Sequence, residues 1–75
     1  MEINNYRITG RKIGKRGGAF QGIAINDDGS REPIFGGANL IHALIWWNTT
    51  REKVQAICDG YKERFPEYEF VPEKV

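Results

Sequence analysis

Two side chains offer the obvious starting points for chemistry: the single cysteine, Cys58, and the single histidine, His42. Such a pair makes a nucleophile when the imidazole takes the thiol proton. Cys58, however, falls on an apolar stripe with Val54, Ile57, Tyr61 and Phe65. A thiol on such a stripe packs as a small inert hydrophobe. Reactive cysteines instead occupy partly exposed, electropositive surroundings. His42 lies within the apolar run 40–47, which favours a buried, hydrogen-bonded imidazole over a base or ligand.

Other chemistries lack their parts. A metal site needs several converging Cys, His or carboxylate ligands, and this chain has one Cys and one His. Asp27 and Asp28 are adjacent in a turn and lack the spaced acids of a calcium loop. Gly10 and Gly14 are separated by three residues where a phosphate loop needs four, and Arg16 stands where that loop needs Ser or Thr. Glu52, Glu63, Glu67 and Glu69 read as a cap, an exposed helix face and an outward strand face, not as a carboxylate pair in a desolvated pocket. The reading is a non-enzyme with no cofactor, no metal and no small-molecule substrate.

Two stretches are suited to binding instead. The first is the run ending in Leu44, Trp46 and Trp47. Tryptophan is enriched at interface hot spots, because it brings large area with little rotamer freedom. Two adjacent indoles diverge on a helix and face opposite ways on a strand. A core this small hides both with difficulty, so a protein partner or a homodimer is expected to cover one. The competing account is that one indole plugs the core and the other covers its open end.

The second stretch carries Arg7, Arg11, Lys12, Lys15 and Arg16 with no acid among residues 7–16. Basic ribbons can enter a groove of DNA, and cations beside aromatics can hold single strands. Nucleic acid is therefore the alternative partner. Against it stand the net charge of +1 and the use of charge to protect a strand edge. Residues 67–73 carry Glu67, Glu69 and Glu73 and no base.

The elements that must position these residues can be read from periodicity. Residues 5–13 alternate, with Tyr6 and Ile8 on one face and Arg7 and Thr9 on the other. Ile13 is out of phase, which suggests a bulge at Gly10. Residues 19–26 form a second strand, with Ile23 and Ile25 opposite Phe20. Asp27-Asp28-Gly29-Ser30 makes a turn into a third strand over 31–35, short or at an edge because of Pro33. Residues 38–47 read as a second, short helix, although a strand fits nearly as well. Thr49-Thr50-Arg51-Glu52 has the pattern of a capping box with Thr49 as N-cap. The main helix follows and ends at Pro66. Ala56 and Gly60 offer it a flat spot for close packing. Tyr68 and Phe70 belong to a final short strand, and the tail beyond is expected to fray.

The expected fold is one α+β domain over 1–75. A small antiparallel sheet of three to four strands packs against one main helix. With 40% hydrophobic and 28% charged residues the composition is that of a globule. One cysteine precludes an internal disulfide, and no stretch has the length of a membrane span. No membrane contact and a cytoplasmic location are therefore expected. The function expected is a small non-enzymatic protein-binding, accessory or inhibitor module that self-associates. The alternative is a nucleic-acid-binding module using the basic hairpin.

Overall fold

A computed structural model describes residues 2–36 and 43–75. The elements run β1 (Asn4–Lys12), β2 (Gly18–Ile25), β3 (Arg31–Gly36), β4 (Trp46–Thr49), α1 (Arg51–Arg64) and β5 (Tyr68–Lys74). The α+β class holds: an antiparallel sheet packs against one main helix. The sheet has five strands, one more than the upper expectation, because Trp46–Thr49 joins it.

β1 is the centre. β5 pairs with it along one edge, from Tyr6↔Lys74 to Lys12↔Tyr68. The other edge is shared. β2 pairs at Thr9 and Gly10, and β4 pairs at Asn4 and Tyr6. β2 then leaves β1 to make its longer ladder with β3, and the Leu44 N–H donates to the Phe20 carbonyl at 3.1 Å where the strands part.

Alternation along β1 puts Tyr6 and Ile8 into the core, and α1 covers that face of the sheet with Val54 and Cys58. Phe20 lies at the centre and is fully enclosed. Its ring centroid is 5.0 Å from Tyr61, 5.8 Å from Phe35 and 5.8 Å from Phe70. These are the separations at which tilted aromatic pairs add to plain burial. Ile57, Tyr61 and Phe65 pack at the rim, so the whole expected helix stripe faces the sheet.

Several details differ from the sequence reading. Gly10 is not a bulge, since the β1–β5 register runs through it unbroken. A Cβ at that position would overlap the Glu69 carbonyl oxygen and come within 2.6 Å of the Phe35 ring. The glycine is there to let the ring in. The irregularity lies instead between Phe20 and Gly22, where Gly22 takes φ 141°. It turns Phe20 and Ile23 to the same side, against the core, while Ile25 runs past it into solvent. Ile13 is exposed as well.

The N-cap is Thr50, one residue later than expected. Its hydroxyl accepts from the Lys53 N–H at 3.3 Å, which leaves Glu52 in the first turn as a charge facing the helix dipole, not as the partner in a reciprocal box. At the other end Phe65 leaves helical geometry ahead of Pro66, as a residue before proline must. Among the described residues the Ala56–Gly60 spot packs against nothing: Ala56 is exposed and the space at the Gly60 Cβ position is open. The tail does not fray. β5 continues to Lys74, and the Val75 N–H donates to the Asn5 carbonyl at 2.9 Å.

The helix expected over 38–47 is also corrected where it can be seen. Residues 43–45 are not helical and Trp46–Thr49 is a strand. Its remaining part, with His42, lies outside the described residues.

Candidate functional site

The face of the sheet away from α1 is built by the other half of each alternation. Tyr6, Ile8 and Gly10, with their β5 partners Lys74, Pro72 and Phe70, define the core side. Arg7, Thr9 and Arg11 on β1, with Glu73, Val71 and Glu69 opposite, therefore line the outer side.

This register joins the two charge clusters of the sequence. Arg7 Nε donates to Glu73 Oε1 at 2.9 Å, and Arg11 Nε donates to Glu69 Oε2 at 2.9 Å. Lys12 lies 3.9 Å from Glu67. The hydrogen bond and charge of Arg11 hold the Glu69 carboxyl below its ordinary pKa, and Glu69 in turn raises the guanidinium. Three of the five basic residues are thus neutralised by neighbours. Lys15 and Arg16 make no ion pair among the described residues and stand at the β1–β2 turn, where Gly14 takes φ 88°.

The tryptophans separate. Trp46 pairs with Tyr6 and packs against the core. Trp47 is 67% exposed and Leu44 is 41% exposed. A register shift between Asn4 and Tyr6 accommodates one extra residue on β4, and Asn48 takes φ 50° there. Asn5 stabilises that bulge, its Oδ1 accepting from the Asn48 N–H at 2.9 Å. The register leaves Trp47 and Asn48 across from Asn5, and alternation from the core-packed Trp46 turns the exposed Trp47 to the outer face. Val71 and Ile34 add exposed apolar area to the same face.

The sheet edges are poor templates for a further strand. β3 carries Pro33, β5 carries Pro72, and β4 is bent by its bulge. Prolines and bulges at edges oppose strand addition.

Cys58 is 1% exposed, and burial pushes its thiol up to about 11. At pH 8 it is therefore protonated and enclosed, so Ellman's reagent should react with it only as the chain unfolds. Fast labelling of native protein at that pH would contradict the packing. Among the described residues no three His, Cys, Asp or Glu side chains converge as metal ligands would. The concavities lined by the described residues are open and shallow. One of about 330 Å³ between the β2–β3 turn and the end of α1 mixes Arg31 and Arg64 with Glu32 and Glu67. Among the described residues no helix is long and apolar enough to cross a membrane.

Sequence reasoning groups Leu44, Trp46 and Trp47; the structure leaves Leu44 and Trp47 exposed and packs Trp46 against the core. The same reasoning puts Glu69 on an outward strand face but does not join Val71, Glu69 and Glu73 to the face of Arg7 and Arg11, a pairing made by the β1–β5 register. Comparison with protein-family models, curated proteins and solved structures finds no match for this chain.

Proposed function

We propose that this domain is a non-enzymatic protein-binding module, of the accessory or inhibitor kind, that engages its partner through the outer face of the sheet with Trp47 as anchor. The observation that carries this reading is the contrast between neighbours. One indole packs against the core, while the next is two-thirds exposed, and Leu44 and Val71 are exposed as well. Interface anchors are typically large aromatics ringed by polar groups, and arginine is the commonest charged companion.

The nucleic-acid reading keeps only Lys15 and Arg16 as unneutralised members of its cluster, at a glycine-rich turn. Two cations give a weak counterion-release term. One experiment separates the readings. Immobilised protein captures its partner from native extract with and without nuclease, beside Trp47→Ala and Lys15→Ala/Arg16→Ala variants. Capture that resists nuclease and is lost only in Trp47→Ala supports the protein-binding reading. Capture abolished by nuclease and by the Lys15/Arg16 change, and kept by Trp47→Ala, transfers it to nucleic acid.

A further inference from the structure

We infer that the outer face pairs with the same face of a second copy, about a two-fold axis lying in the interface and running along the strands between β1 and β5. This rests on the reading of that face as a protein-binding surface and names its occupant. A two-fold interface must be complementary to itself. The charges on this face meet that condition. All the basic partners, Arg7 and Arg11, stand on β1, and all the acidic ones, Glu73 and Glu69, stand directly opposite on β5. Rotation about an axis between the two strands exchanges the rows. Arg7 of each copy then faces Glu73 of the other, and Arg11 faces Glu69.

The apolar residues obey the same operation. Val71 and Thr9 are register partners midway between the ion pairs, so each Val71 lands over the other copy's Thr9. Trp47 and Val75 both flank Asn5, on opposite sides of β1. The rotation carries each Trp47 beside the other copy's Val75. Both are more than half exposed in the single chain. A molecule of 42 × 26 × 23 Å has broad faces of the size needed to bury roughly 800 Å² per partner, the usual scale of a specific interface.

The test exchanges the rows. The variant Arg7→Glu/Arg11→Glu/Glu69→Arg/Glu73→Arg keeps every pairing within the chain and every pairing across the proposed interface. It is expected to dimerise with itself. Against the wild-type chain it sets like charge on like charge at all four positions. Native mass spectrometry of an isotope-labelled mixture should then show both homodimers and mixed dimers far below their statistical share. Free mixing would overturn the geometry. A strict monomer at millimolar concentration would overturn self-pairing, while Trp47-dependent capture of another protein would survive as a separate result. If the exchanged variant fails to fold, Val71→Asp serves in its place. The change sits on an exposed side chain near the axis, and dimerisation should be lost with the circular-dichroism spectrum unchanged. A Val71→Asp dimer as tight as the wild type would refute the proposal.

Discussion

Phe20→Ala is expected to remove about 3–5 kcal/mol of stability, the range for truncating an enclosed aromatic ring. A chain of 75 residues has in total roughly 4–11 kcal/mol at the usual value per residue. This one change therefore takes a large fraction of what holds the domain together. The reason is position. The Phe20 ring meets Phe35, Tyr61 and Phe70, which come from β3, α1 and β5, so one side chain bonds both layers and both ends of the chain. Its loss leaves a cavity between those rings, whose cost adds to the lost burial. Urea denaturation followed by tryptophan fluorescence gives the measurement. A cost below about 1 kcal/mol would mean that the rings are not packed as described.

Trp47→Ala is expected to do the opposite: change stability by no more than about 0.5 kcal/mol and weaken partner binding about 30-fold or more. Surface truncation removes few contacts of the folded chain, whereas loss of a hot-spot aromatic costs at least about 2 kcal/mol of binding. Trp46→Ala supplies the internal control. Its ring packs against Tyr6 and the core, so its removal should cost on the order of 2 kcal/mol of folding. Melting and binding measured on both variants should therefore fall in a crossed pattern. Equal effects of the two substitutions on stability would remove the distinction on which the candidate site depends.

Much of this arrangement was legible beforehand. β1, β2, β3 and the helix stripe were within one or two residues of their places, because alternation and the 3.6-residue period are local signals. The N-cap was displaced by one residue because Thr49 and Thr50 have the same side chain, and only the backbone turn at Thr50 decides between them. Trp46–Thr49 was ambiguous for a different reason. It is four residues long, and it is a strand because Asn4 and Tyr6 have an edge free for it. The ion pairs were hidden although both charge clusters were visible. Arg11 and Glu69 meet only through the β1–β5 register, and no nearest-neighbour pattern can state that pairing. Gly10 shows the same limit: its place under the Phe35 ring depends on β3, well beyond it in sequence.

The end-to-end ladder also bears on how the molecule is made. Tyr6 finds Lys74, and Lys12 finds Tyr68, so β1 lacks its longest ladder until nearly the whole chain has closed into a loop. Loop-closure entropy must be met before those bonds form, and domains with such distant pairings fold in milliseconds to seconds, not microseconds. The β2–β3 hairpin and α1 are built from near neighbours in sequence, whereas the middle of the sheet is joined by the two ends of the chain. The same closure brings Asn5 and Val75 side by side, so any segment attached before the first strand and any attached after the last would leave from one corner of the domain.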